Sequence, residues 1–298
     1  MSDMSHNGSR SLLERAAEAY DFGAALRAPA PVPEAIPPKP VPALVEAPAP
    51  RPRPAHGVAE IDRVALAEAG FIVPDAPVTG LAEEFRLIKH QLLAAIEGSK
   101  QPEERRRSIL VCSAQPRSGK TFCAINLALS LAGEKDVEVL LVDGDFIKPD
   151  ALGLLGLAGG PGFVDALADP QSDPESFVVR TDVPGLSVLP AGARTNNVPE
   201  LLASERSREV LAKLVAGDQR RIILFDSPPA LMASHATVLA GLVGRALVVV
   251  RADQTTEADL RETIGLLAGC EISLILNGAG LAVTGRKFGA YDGYGHED

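Results

Sequence analysis

From residue 108 onward the chain reads as short apolar runs separated by amphipathic stretches. The runs are 109–112, 137–142, 186–189, 222–225, 246–250 and 272–276. Each is rich in Val, Ile or Leu and lacks polar alternation, the pattern of strands buried on both faces. Helical periodicity fills the intervals at 121–131, 199–215, 234–242 and 257–267. Strand–helix–strand repetition of this kind predicts an α/β domain whose mostly parallel sheet carries helices on both faces. No internal repeat is visible.

Upstream, a helix is predicted over 81–96, where Leu81, Phe85, Ile88, Leu92 and Ile96 make one apolar stripe. Glu83, Arg86 and Lys89 form a charged row on another face. A shorter pattern occupies 11–27, with Ser11 and Glu14 at capping-box spacing and Leu13, Ala17, Tyr20 and Ala24 on one side. Alone it is too short to hold a helix in water, and it reads equally as a docking peptide or a frayed tail. Between these patterns, 28–54 holds 11 of the 24 prolines. Such a Pro/Ala-rich run cannot build a core and reads as a disordered, partly polyproline linker. The expected organisation is therefore a helical segment (1–27), a linker (28–58), an α/β domain (59–284) and a Gly-rich tail (285–298).

Composition narrows the class. The chain has 298 residues, 46% of them hydrophobic, enough for a substantial core. Its net charge of −10 argues against a general nucleic-acid binder. Three scattered cysteines, Cys112, Cys123 and Cys270, fit neither a metal spacing nor a disulfide framework, so a reducing cytosol is the expected compartment. The longest apolar stretch, 238–250, is too short to span a bilayer and contains Arg245. No secretory signal opens the chain, and no direct membrane insertion is expected.

Candidate chemistry begins directly after the first predicted strand. Ala114, Gln115, Pro116, Arg117, Ser118, Gly119, Lys120 and Thr121 fit G-x-x-x-x-G-K-[ST] except at the first position. A strand delivers such a loop to the sheet's carboxyl edge, and a helix starts at once behind it. Backbone N–H groups and the helix N-terminus then face a polyphosphate. Lys120 is the candidate for the β- and γ-phosphates, Thr121 for Mg²⁺, and Phe122 completes the nucleotide-contacting set. Ala114 is a mild change if its φ is negative, whereas Arg117 would be strained by a positive φ. Two acidic motifs complete the picture. Asp143 and Asp145 lie just past one predicted strand, and Asp226 ends another within Asp-Ser-Pro-Pro. Ligands of open parallel sheets bind beyond the strands' carboxyl ends, so the three acids can join Lys120 and Thr121 around one Mg²⁺ and phosphate.

These motifs together resemble the bacterial tyrosine kinases of capsule and exopolysaccharide synthesis, and within them the membrane-free, exosortase-associated autokinases. The resemblance covers residues 60–298. Asp143-Gly-Asp-Phe-Ile-Lys-Pro149 matches the family's Asp-x-Asp-x-Arg-Arg-Pro, with Ile147 where an arginine is usual. Asn197-Val-Pro-Glu-Leu-Leu202 resembles its Asn-Pro-x-Glu-Leu-Leu segment. Glu83, Arg86 and Lys89 resemble its Glu-x-x-Arg-x-x-Arg oligomerisation motif, with Lys in place of the last Arg and so without the bidentate fork. Asn277 falls where the wider ATPase class contacts adenine.

The resemblance implies a P-loop NTPase-like fold using ATP and Mg²⁺. It implies transfer of the γ-phosphoryl group in trans to tyrosines in the chain's own tail, here Tyr291 and Tyr294. It gives Asp143 the acceptor role for the phenol proton, with Asp145 and Asp226 around the metal. It also implies a homo-oligomer, a cytoplasmic location at the inner face of the plasma membrane, and recruitment there by a membrane chain-length or co-polymerase protein. Two other readings stay open at this point: a partition- or septum-type ATPase, and a non-catalytic ATP-binding scaffold. Against the first stands Gln115, where those ATPases carry a lysine.

Overall fold

A computed structural model describes residues 57–279. The 11–27 pattern, the linker up to residue 56 and the tail with Tyr291 and Tyr294 lie outside the described residues. Helix α1 spans Arg63–Glu68, α2 Gly80–Gly98 and α3 Glu103–Arg106. Strand β1 (Ser108–Ser113) leads into α4 (Lys120–Ala132), and β2 (Glu138–Asp143) into α5 (Ala151–Leu154) and α6 (Phe163–Ala168). A 3₁₀ turn at Pro174–Phe177 precedes β3 (Val179–Arg180) and β4 (Leu186–Leu189). Then come α7 (Val198–Ala203), α8 (Glu205–Ala216), β5 (Arg221–Asp226) and α9 (Ser234–Ala240). Strand β6 (Arg245–Arg251), α10 (Glu257–Leu266) and β7 (Glu271–Asn277) close the described fold.

The seven strands form one sheet in the order β3-β4-β2-β5-β1-β6-β7. Every pairing is parallel except that of β3 with β4. The unbroken apolar runs have a direct explanation in side-chain alternation. Ile109 and Val111 of β1, Val139 and Leu141 of β2, Ile222 and Leu224 of β5, and Leu247 and Val249 of β6 enter one core. Their neighbours Leu110, Cys112, Leu140, Val142, Ile223, Phe225, Ala246 and Val248 enter a second core across the sheet. Both faces are dry, so both sets of positions must be apolar. Helices α1, α2, α4 and α5 cover the first face, and α6 to α9 the second.

All six predicted strands are present, each within one residue of its expected limits. The predicted helix 199–215 is instead two. Ser204 is extended (φ −76°, ψ 161°) between α7 and α8. The Ser204 and Ser207 hydroxyls both donate to the Leu201 carbonyl, so side chains replace the helical ladder there. Strand β3 and the short helices α1, α3, α5 and α6 are additions. None is long enough to establish a period.

Candidate functional site

The site is assembled at the carboxyl edge, where three adjacent strands end together. Val111 of β1 is in register with Asp226 of β5, and Asp226 with Asp143 of β2. The loop 114–119 leaves β1 and enters α4. Its exit is set by Gly119, left-handed at φ 90°. A Cβ there would lie 2.1 Å from Asn277 Nδ2, so only glycine fits. The loop is braced from inside: the hydroxyls of Ser113 and Ser118 both donate to the Gln115 carbonyl, at 2.8 Å each. Ala114 is buried and keeps a negative φ, whereas Arg117 takes φ 62°. The expected strain is therefore real at one position and absent at the other. Gln115 Nε2 donates to Asp259 Oδ2 (2.9 Å), tying the loop to the first turn of α10.

Lys120, the first residue of α4, places Nζ 3.2 Å from Asp145 Oδ2. Both side chains are largely withdrawn from solvent. Asp145 also accepts from the Lys148 N–H at 3.0 Å, which folds the turn after β2. Asp143 Oδ2 accepts from the Ala151 N–H at 3.2 Å. Its Oδ1 and both carboxylate oxygens of Asp226 are buried without a hydrogen-bond partner. Burial, and then Asp145, push the Asp143 carboxyl up to about 6. Burial pushes Asp226 up to about 7, although the Lys120 ammonium and Thr121 hydroxyl draw it back down. Gly144 lets these acids converge: a Cβ there would meet the Asp226 carbonyl at 2.6 Å.

Orphaned, dry carboxylate oxygens are costly unless something binds them. Three such oxygens on facing strands, next to a threonine hydroxyl and a lysine at a helix N-terminus, are the donor set of a hard cation carried by phosphate. They fit Mg²⁺. No group of three or more His, Cys, Asp or Glu among the described residues forms a self-contained metal site. A metal that keeps phosphate oxygens as ligands does not require one. The predicted constellation of Lys120, Asp143, Asp145 and Asp226 thus comes together, with Thr121 beside it, and Asn277 closes the loop's far side.

The predicted charged row does not survive intact. Glu83 and Arg86 pair with each other on the outer side of α2. Lys89 is buried and pairs with Glu134 at 2.6 Å. The reason is helical phase: residue 89 lies four after Phe85 and three before Leu92, both buried. His235 was not anticipated. Its ring centroid is 6.0 Å from that of Phe146, beside the turn bearing Asp145, and its Nδ1 is buried without a partner. Burial lowers its pKa, while Asp145 and Glu200 pull it up. A lone histidine well past a strand end carries no spacing signal.

A strand–loop–helix of this sequence, backed by acids on two neighbouring strand ends, defines a P-loop NTPase-type α/β domain. No family profile matches the chain. Individual relatives do. Over 203 residues, 68% of this chain, it is 33% identical to EpsB of Ralstonia nicotianae, of whose length it spans 25%. It is 26% identical to the tyrosine-protein kinase YwqD of Bacillus subtilis, covering 72% of this chain and 85% of that one. The solved VpsO kinase domain is 34% identical, with a TM-score of 0.56, covering 66% of this chain and 93% of that domain. The chain belongs to the bacterial tyrosine kinase family.

Proposed function

We propose that the chain is an ATP-dependent protein-tyrosine kinase that phosphorylates Tyr291 and Tyr294 in trans. The observation that carries this reading is the set of three buried carboxylate oxygens without a hydrogen-bond partner, Oδ1 of Asp143 and both of Asp226, on register-paired strand ends beside Lys120. In the proposed reaction the phenol oxygen of a neighbour's tyrosine bonds to the γ-phosphorus while the bond to the β,γ-bridging oxygen breaks. ADP leaves and the phenol proton passes to Asp143. Lys120 holds the β- and γ-phosphates, the backbone of residues 114–119 and the side chain of Thr121 frame the nucleotide, and Asn277 meets adenine. Phe122, which the sequence placed among the nucleotide contacts, instead turns its ring into the core under α2, with centroids 5.1 Å from Phe71 and 6.5 Å from Phe85. Asp145, Asp226 and Thr121 would hold Mg²⁺, which neutralises the phosphate charge when bound. Catalysis of this kind is mostly positioning and electrostatics, and a dry, preformed site strengthens both.

Asp292 lies between the two tyrosines and Glu297 and Asp298 follow them, while Arg286 and Lys287 precede them. Each phosphotyrosine would add up to two negative charges, so phosphorylated tails repel one another. We place the assembly contact at Glu83 and Arg86 of α2, with Lys89 supporting the helix from within, and expect phosphorylation to dissolve it. The proposed setting is polysaccharide synthesis or export, with recruitment to the inner face of the plasma membrane by a chain-length or co-polymerase protein. No described helix is long and apolar enough to cross a membrane.

Incubation with γ-labelled ATP tests the reading. Label on the protein that disappears in Tyr291→Phe/Tyr294→Phe is the expected result. Phosphate release without label would instead indicate a partition-type ATPase, and binding without turnover a scaffold.

A further inference from the structure

The acids lie to one side of β1, on β5 and β2. On the other side are β6 and β7, whose last residues, Arg251 and Asn277, are register partners. A nucleotide with its terminal phosphate at Lys120 would run along the loop, whose Ser118 carbonyl Asn277 holds, and so would direct its other end toward that pair. Asn277 is pinned there: Nδ2 donates to the Ser118 carbonyl at 2.9 Å, which leaves Oδ1 with no donor among the described residues. Arg251 stands beside it. A Cβ on Gly278 would meet Arg251 Cζ at 2.5 Å, Nη1 at 2.6 Å and Nε at 2.8 Å. Three atoms of the guanidinium plane are thus nearly equidistant from one point, and the group lies face-on to the Gly278 backbone. Gly278 has φ 69°, and the absence of its side chain makes the room. Arg251's own N–H is held by Thr255 Oγ1 at 2.9 Å, which fixes the turn that follows β6. Its guanidinium makes no ion pair among the described residues, unlike those of Arg245, Arg220 and Arg221.

We propose that Arg251 is the platform on which the nucleotide base stacks, with one face of the guanidinium on Gly278 and the other on the base. This rests on the nucleotide reading above. A guanidinium is planar and weakly hydrated, and it binds π-faces without needing a carboxylate. Stacking tolerates any base. Arg251 therefore sets affinity for purine nucleotides in general, while the fixed Oδ1 of Asn277, an acceptor, favours the amino edge of adenine over the carbonyl of guanine.

The test is calorimetric titration of ADP, GDP and inorganic tripolyphosphate, with Mg²⁺, into wild type, Arg251→Ala and Arg251→Lys, with thermal melts confirming that each variant folds. The expected result is about ten-fold weaker ADP and GDP binding by both variants, with tripolyphosphate unchanged. Gly278→Ala, which displaces the guanidinium, should reproduce part of this loss if the arginine variants melt early. Unchanged ADP affinity would overturn the inference. So would wild-type ADP affinity in Arg251→Lys, where the charge is kept and the plane is lost, or an equal loss of tripolyphosphate. A wild type that takes up none of the three ligands would overturn the nucleotide reading itself.

Discussion

Replacing Asp226 by asparagine removes a buried titratable group while keeping its shape. The wild-type carboxyl is raised from 3.8 to about 7 by burial, so its contribution to stability is fully present below pH 3.8 and lost as pH rises through 7. Taking these two values, the metal-free protein loses on the order of 3 kcal/mol through this group between pH 5 and pH 8. Asp143, raised to about 6, acts in the same direction. Asp226→Asn is silent to pH, so its stability advantage over wild type should grow by about that amount across the interval. Urea denaturation at pH 5 and pH 8, in chelator and without nucleotide, reads the difference directly. Parallel pH slopes for the two proteins would refute the idea that Asp226 is held in a dry, unpartnered pocket.

Other consequences follow from the same geometry. Arg117→Gly relieves a positive φ but loosens the unfolded chain, so it should leave stability within about 1 kcal/mol of wild type or raise it; a larger loss in denaturant would show that Arg117 holds a contact. Gly119→Ala forces a Cβ into the Asn277 amide and should cost at least about 1–2 kcal/mol, with weakened ADP binding in the same titration. Lys89→Ala unpairs Glu134 and opens the inner face of α2, so it should lower the melting midpoint well beyond Arg86→Ala. Arg86→Ala, by contrast, should change the assembly seen by native mass spectrometry while leaving the melt nearly unaltered.

Much of this was legible in the amino-acid order. Strands buried on two sides announce themselves as unbroken apolar runs, and the loop, Lys120, Thr121 and the three acids carry fixed spacings to strand ends. Where reading failed, the cause was contact between separate segments. Ser204 divides a helix because hydroxyls capture the Leu201 carbonyl, which periodicity does not register. Lys89 looked like part of a surface row because charge suggested it, yet Glu134, in the distant turn between α4 and β2, makes its burial tolerable. Arg251 and Gly278 acquire meaning only when β6 and β7 pair and the guanidinium comes to rest on the backbone. Gly144 sits at an unspecified position of its motif, and its necessity comes from the Asp226 carbonyl beside it.

The central claim is that Lys120, Thr121, Asp143, Asp145 and Asp226 serve one metal-bound nucleotide. Titration of ADP into wild type and Asp226→Asn, each with Mg²⁺ and with chelator, tests it most directly. Uptake that requires Mg²⁺ in the wild type and is strongly weakened in the variant is the predicted outcome. ADP uptake indifferent to both the metal and Asp226 would contradict it.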